Sequence, residues 1–135
     1  VRSAHDTNMG NFATMAALSS NRLSDGLDVH GLRNQYSADL VAMLRDGAAN
    51  RENGGLGQLA TDPSFINYDF GYSISAYGGY VMAHEIGHNL GAHHDVETET
   101  QPDGSVNKGA YFFAHGHREI VPRPFNTIMA YRIGR

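Results

Sequence analysis

The densest group of side chains able to do chemistry lies at positions 84–95, in the order His-Glu-Ile-Gly-His-Asn-Leu-Gly-Ala-His-His-Asp. His84 and His88 are four residues apart, so on a helix both imidazoles project from one face and can bind one metal ion. An open zinc site takes three protein ligands and leaves a fourth position for water. His94 supplies the third ligand if the helix ends at Gly91, where glycine tolerates a turn through positive φ. The spacing therefore predicts a metal site on His84, His88 and His94.

The residues beside these three histidines are predicted to have other roles. Glu85 directly follows the first ligand, so its carboxylate can take a proton from a metal-bound water and later pass it to a leaving amine. Glu85 is therefore the candidate general base and is not needed as a ligand. His93 is one residue short of the ligand spacing and is predicted to be an exposed bystander. Asp95 is expected to accept hydrogen bonds that fix the turn.

The metal-binding histidines need a helix, and the sequence predicts one over residues 80–90. Met82, Ile86 and Leu90 are also four residues apart and lie about 200° around that helix from His84 and His88. This arrangement predicts an apolar face that packs on the core, with the histidines on the other side.

The rest of the chain predicts a small α/β fold around this helix. Residues 45–55 are polar and glycine-rich and are predicted to be an exposed loop. Apolar spacing and turn residues predict further helices at 12–23 and 28–36 and strands at 38–44, 56–60 and 68–77, the last with one buried face. These strands are expected to form a twisted mixed sheet backed by the helix, with an irregular part from residue 95 onward.

At the histidine motif the sequence resembles the metzincin zinc endopeptidases, whose zinc signature is followed by a methionine turn. Asp95 after the third histidine is similar to the reprolysin (adamalysin) branch. The stretch from Leu32 to Val41 and the closing Thr127 to Tyr131 are similar to bacterial reprolysin-like peptidases. The resemblance implies a zincin-like α/β (α+β) fold and one catalytic domain over 1–135. Its upper part would be 1–94 and its lower part, with the methionine turn, 95–135.

The resemblance also implies a role for each matching residue. His84, His88 and His94 would bind Zn²⁺, Glu85 would be the general base, and Met129 would lie beneath the metal as a structural residue. Tyr131 is either a fifth ligand or oxyanion stabiliser, or a packing residue. The segment Gly57 to Ala60 corresponds to the edge strand that binds an extended peptide substrate. Secretion is also expected from the family.

The function expected from these features is that of a zinc-dependent endopeptidase acting on extended peptides or proteins. Two alternatives stay open. Compared with the family pattern, the domain is expected to be shortened at both ends, so the chain could be a zinc-binding fragment without turnover. It could also be a zinc hydrolase of a non-peptide substrate.

Composition argues against several other classes of function. The net charge of −4 and the absence of a Lys/Arg cluster argue against nucleic-acid binding. No apolar run approaches the roughly 20 residues of a membrane span, and there is no cysteine to form a disulfide or thiolate site. Calcium binding by acidic residues at 95–103 is possible, but a solvated loop is favoured. A monomer is expected. The remaining histidines, at positions 5, 30, 115 and 117, are interpreted as surface or cleft-wall residues.

Overall fold

A three-stranded mixed sheet forms the centre of the protein, which is represented by a computed structural model. The structure describes residues 1–6, 8–45, 54–65, 71–76 and 79–131. The strands are β1 (Val41–Leu44), β2 (Gly55–Gly57) and β3 (Tyr72–Ser75), in the order β1-β3-β2. β1 runs parallel to β3 and β2 runs antiparallel to it. The predicted mixed sheet is confirmed, with strands shorter than expected.

Two of the sequence predictions extend beyond the described residues. Residues 68–70 and 77 of the predicted third strand lie outside them, as do residues 46–53 of the predicted loop. The second strand was expected at 56–60, but it spans Gly55–Gly57. Beyond it, Gln58 still donates its N–H to Tyr72 O at 3.1 Å, whereas Ala60 N–H bonds His88 O at 3.2 Å. The chain therefore leaves the sheet after Gln58 and turns toward the helix that carries the histidines.

The prediction of a single buried face for the third strand is wrong, because all four residues of β3 are buried. Successive side chains of a strand point to opposite faces, so burial of all four requires cover on both faces. β3 is the central strand and contacts both α1 (Asn11–Ser19) and α3 (Tyr80–Asn89). Small serines at alternate positions fit this crowded environment.

The N-terminal helices pack the apolar core against the sheet. α1 ends at Ser19 rather than at residue 23, because Asn21 adopts a left-handed conformation with φ 58°. The Asn21 side chain then accepts hydrogen bonds from the N–H groups of Val29 and His30, at the start of α2 (Val29–Tyr36). Asp28 caps α2 by accepting the Gly31 N–H at 2.8 Å. The core cluster comprises Met15, Leu18, Leu23, Val29, Tyr72 and Ile74.

The part of the chain after α3 is mostly irregular, as predicted. It contains a single-turn helix, α4 (Val96–Glu99), and two short antiparallel strands, β4 (Arg118–Glu119) and β5 (Phe125–Asn126). Within the described ranges, no helix combines the length and the apolar character needed to cross a bilayer.

Candidate metal centre

Helix α3 carries two of the three predicted metal ligands and begins and ends close to where the sequence indicated. It begins at Tyr80, after Gly79, and ends at Asn89. Gly91 adopts φ 84°, so the left-handed turn predicted at this glycine is confirmed. The turn returns the chain toward the helix, because Ala92 N–H donates to Gly87 O at 2.9 Å. His94 is thereby brought beside His84 and His88.

The predicted apolar face of α3 is only partly buried, with Met82 and Ile86 half-buried and Leu90 exposed. Leu90 is 56% exposed, and the buried residues of the helix are Glu85, His88 and Asn89. The Asn89 amide donates to Gln58 O and Tyr72 O, each at 2.9 Å, and so attaches the helix to the sheet. This contact is polar because Gln58, directly after β2, and Tyr72 in β3 present backbone carbonyls there. Helix α3 is therefore anchored by hydrogen bonds from Asn89 in addition to the half-buried Met82 and Ile86.

The three predicted ligand histidines converge. One ligand nitrogen from each of His84, His88 and His94 lies within 4.8 Å of the others. Each Nδ1 already has an acceptor: Ile128 O at 2.7 Å for His84, Ala92 O at 2.9 Å for His88 and Glu99 Oε1 at 2.6 Å for His94. Because these oxygens can only accept, each Nδ1 carries the proton, and each Nε2 keeps a lone pair that can bind a metal.

The charge state of these rings also suits a metal ligand. Burial lowers the pKa of His84, and it lowers the pKa of His88 to about 4. Both imidazoles are therefore neutral near pH 7, which is the form that coordinates a metal. Together with His94, these two imidazoles form a donor set of three ring nitrogens that suits zinc.

Glu85 lies next to this cluster and is only 7% exposed. Burial raises the pKa of Glu85 to about 7, and a backbone hydrogen bond from Gly57 partly offsets that rise. A carboxyl group with such a pKa can accept a proton and release it again near neutral pH.

Two glycines of β2 allow the strand to lie directly against Glu85. A Cβ on Gly55 would lie 2.5 Å from Glu85 Oε1, and a Cβ on Gly57 would overlap the Glu85 carbonyl oxygen. Neither glycine is in the left-handed region. Their role is therefore close approach between β2 and α3, and not a special backbone angle.

Glu99 is a site residue that sequence reasoning missed. It is 8% exposed, and its Oε2 accepts a hydrogen bond from Asn107 Nδ2 at 3.2 Å while Oε1 faces His94. Burial alone would raise the pKa of Glu99, but the hydrogen bonds from His94 and Asn107 lower it overall. Asp95 followed by acidic residues is a helix-start signal that indicates α4, and one helical turn returns Glu99 toward His94.

His93 is not the exposed bystander that was predicted. Its side chain is 13% exposed, and its Nδ1 accepts the backbone N–H of His94 at 2.9 Å. The same Nδ1 lies 3.3 Å from Glu99 Oε1, and the His93 ring stacks on His115. His93, His94 and Glu99 also form a group whose ligand atoms could hold a cation. The hydrogen bonds nevertheless distinguish the two adjacent histidines, because Nδ1 of His93 accepts whereas Nδ1 of His94 donates.

Asp95 is fully buried and makes the hydrogen bonds expected for a residue that fixes the turn. Its carboxylate accepts from the N–H and the hydroxyl of Thr98 and from the N–H of Tyr131 at 3.1 Å. It also pairs with Arg118 Nη2 at 2.8 Å. Asp95 thus links the third histidine, α4, β4 and the end of the described chain.

Met129 packs against helix α3, and Tyr131 packs against the histidine cluster. A Cβ on Gly87 would overlap Met129 Sδ, so the thioether packs directly against the backbone of α3. The Tyr131 ring lies 4.4 Å from the His94 ring between centroids, and 6.1 Å from the His84 ring. Burial raises the pKa of the Tyr131 hydroxyl.

The other histidines do not join this cluster. His5 was predicted to be a surface residue, but it is 6% exposed, and its Nδ1 bonds Ser24 Oγ at 2.9 Å. His30 is partly buried and bonds Ser19 O, and His115 bonds His94 O. His117 is exposed. In the described part of the chain, the acidic residues of 95–103 form no all-carboxylate group of potential metal ligands.

A cleft of about 1190 Å³ opens over the histidines. Its walls are β2, helix α3 and the segment from Asn126 to Tyr131. β2 is an edge strand of the described sheet and lines this cleft, where the Gly57 N–H already donates to the Glu85 carboxylate. The predicted cleft between edge strand and helix is therefore present.

Known proteins with similar sequences are named metalloendopeptidases. A peptidyl-Asp metalloendopeptidase of Stenotrophomonas maltophilia is 34% identical over 130 residues, covering 93% of this chain and 29% of that protein. Proteins of the same name are 36% identical in Xanthomonas campestris, over 76% of this chain and 22% of that protein, and 29% identical in Pseudomonas aeruginosa, over 89% and 22%. The chain thus spans less than a third of the length of these relatives. No solved structure matches it significantly.

The family comparison covers almost the whole chain. A reprolysin-type family model, described as metallo-peptidase family M12, matches residues 2–135. The predicted resemblance to reprolysin-like metalloendopeptidases is confirmed by this match and by the names of the relatives. A divalent metal is implied by this family, and the histidine clusters could hold one. The chain therefore belongs to metallo-peptidase family M12.

Proposed function

We propose that this chain is the catalytic region of a zinc-dependent metalloendopeptidase of the metzincin type. The observation that carries the proposal is the convergence of His84, His88 and His94, with every Nδ1 hydrogen-bonded and every Nε2 left for a metal. Three imidazoles would hold zinc and leave a further coordination position open. Zinc bound there would polarise the substrate carbonyl and acidify water.

Glu85 is proposed as the general base. Its position next to His84, its burial and its pKa of about 7 support this role. The carboxylate would accept a proton from the attacking water as the oxygen bonds to the peptide carbon. It would then give that proton to the amine nitrogen as the C–N bond breaks. The proton is returned, so Glu85 ends the cycle ionised.

The substrate is proposed to be an extended peptide lying along β2. β2 is an edge strand of the described sheet beside Glu85, and such an edge can pair with an added strand through backbone groups other than the Gly57 N–H, which Glu85 binds. The relatives are named for peptidyl-Asp bonds, so we propose that cleavage takes place at aspartate. Secretion stays a prediction from the family resemblance.

Met129 and Tyr131 are proposed to support the site by packing, Met129 against helix α3 and Tyr131 against His94. Met129 would hold α3 at Gly87 without binding the metal. Tyr131 is proposed to act mainly as a wall residue, because its ring packs on His94.

The proposed function is tested with the purified chain, by its zinc content and by its cleavage of casein and of a mixed peptide library. We expect chelator-sensitive cleavage with products that begin or end at aspartate. In Glu85→Gln, cleavage should fall about 100- to 10,000-fold, as for loss of a general base, while zinc content stays the same. Glu97→Gln is the matched control, because Glu97 is 65% exposed and outside the cleft.

Each alternative gives a different result in the same assays. A chain that binds zinc and cleaves nothing would be the zinc-binding fragment. Hydrolysis of non-peptide esters or amides without peptide cleavage would indicate another zinc hydrolase. Unchanged cleavage by Glu85→Gln would exclude the proposed base.

A further inference from the structure

Among the three candidate ligands, only His94 donates to a charged acceptor. His84 and His88 donate to the backbone carbonyls of Ile128 and Ala92, at 2.7 and 2.9 Å. His94 donates to the Glu99 carboxylate at 2.6 Å, which is the shortest of the three contacts. Hydrogen bonds to an ionised acceptor are shorter and stronger than those between neutral groups. The third ligand is thus held differently from the two on the helix.

Glu99 is itself fixed from several directions. Asn107 Nδ2 donates to Oε2 at 3.2 Å, and the Asn107 N–H donates to the Glu99 carbonyl at 3.1 Å. The Glu99 N–H donates to Asp95 O at 3.1 Å, within the single turn of α4. Glu99 as a residue is only 8% exposed, so little water can reach its carboxylate and compete with these hydrogen bonds. A carboxylate held this way keeps one position relative to His94.

His94 needs such support more than the other two rings do. His84 and His88 stand one turn apart on a regular helix, which fixes their relative positions. His94 lies on irregular chain after Gly91, between α3 and α4. Its neighbour His93 also has Nδ1 within 3.3 Å of Glu99 Oε1, so two adjacent imidazoles face the same oxygen.

We propose that Glu99 is the positioning residue that makes His94, and not His93, the third metal ligand. This inference rests on the zinc site proposed above. By accepting the Nδ1 proton of His94, Glu99 fixes the tautomer that leaves Nε2 free and holds the plane of the ring. It also makes the imidazole more basic and so a stronger ligand. Asn107 completes the unit by occupying the second carboxylate oxygen.

The test measures zinc affinity rather than cleavage. The dissociation constant for zinc is determined by competition with a chromogenic chelator, for the parent chain and for Glu99→Ala, Glu99→Gln and Glu97→Ala. We expect Glu99→Ala to raise it about 10- to 100-fold, which is the range for losing such a partner of a ligating histidine. Glu99→Gln keeps an acceptor and should give a smaller rise. Glu97→Ala changes an exposed carboxylate on the same helical turn and should match the parent.

A spectroscopic measurement separates positioning from general stability. With cobalt(II) in place of zinc, the visible absorption of the Glu99 variants should shift, because the ligand geometry changes, while that of Glu97→Ala should stay the same. Melting of the metal-free variants reports folding separately. If Glu99→Ala does not fold, Asn107→Ala leaves the carboxylate in place and should still weaken zinc binding.

The outcomes distinguish this inference from the proposed function. A parent chain that binds no zinc contradicts the proposed function itself. A parent that binds zinc, together with Glu99→Gln and Asn107→Ala variants that bind it equally well, contradicts only the role of Glu99. Equal losses in the Glu99 and Glu97 variants would also overturn it, since they would indicate a general charge effect.

Discussion

The two regions that supply the metal ligands are built in different ways. Helix α3 provides His84, Glu85 and His88 from ten residues of regular backbone. The segment from Gly91 to Tyr131 provides His94 from chain with little regular structure. In α3, the spacing of side chains follows from the helix itself. In the second segment, position depends on hydrogen bonds made by side chains, many of which involve Asp95 or Glu99.

Because α3 is regular and the segment from Gly91 to Tyr131 is not, mutations in the two regions should have different consequences. A change of a functional side chain on α3 should remove chemistry and leave the fold intact. A change in the hydrogen-bonded segment should affect stability first, because those groups replace the regular backbone that is missing there. The two regions meet where Met129 packs against Gly87.

The largest stability effect is expected for Asp95→Ala. Removing this fully buried carboxylate takes away the closer of two carboxylates beside Arg118, at 2.8 Å, and leaves Glu97 at 3.7 Å. It also frees the N–H of Tyr131. Removing one member of a buried ion pair costs about 3–5 kcal/mol, and we expect the lower part of that range because Arg118 is 19% exposed and keeps Glu97 nearby. Urea unfolding of the metal-free protein measures this loss in the free energy of unfolding, with Glu97→Ala as the control. A cost below about 1 kcal/mol would mean that the network around Asp95 does not hold this segment.

A smaller effect is expected where the two regions touch. Gly87→Ala adds a methyl group that overlaps Met129 Sδ and should cost about 1–3 kcal/mol, as overpacking does. In a Met129→Ala background the clash is gone, so the same change should be neutral or stabilise the helix by up to about 1 kcal/mol. A Met82→Ala background, which keeps Met129, should retain the cost. Purely additive effects in the Met129→Ala background would show that the two sites do not touch.

The smallest effect is expected for Tyr131→Phe. The ring that packs on His94 is kept and only the hydroxyl is lost, so peptide cleavage should fall by less than about tenfold. A true oxyanion donor contributes about 100- to 1000-fold. Steady-state kinetics on an aspartate-containing peptide therefore decides between the two roles that the sequence left open. Tyr131→Ala should reduce cleavage further by removing the ring.

The local features of the site were predictable because they follow from short-range geometry. The four-residue spacing of His84 and His88 predicted the helix, and Gly91 predicted the turn after it. The cap of α2 at Asp28 follows the same kind of rule. Predictions that depended on what packs against an element were less accurate. Leu90 has the correct spacing for a core face but is exposed, and the buried Asn89 helps to join α3 to the sheet.

The sequence by itself determined the family, the helix with its two histidines and base, and the spacing that brings a third histidine back. Only the tertiary structure decided which faces are buried, that β2 lies against Glu85 through Gly55 and Gly57, and that Glu99 supports His94. The physical reason is the distance along the chain over which each interaction acts. Helical periodicity and glycine turns act over a few residues, whereas burial and hydrogen bonding to β2, Asn107 and Met129 depend on segments brought together by folding.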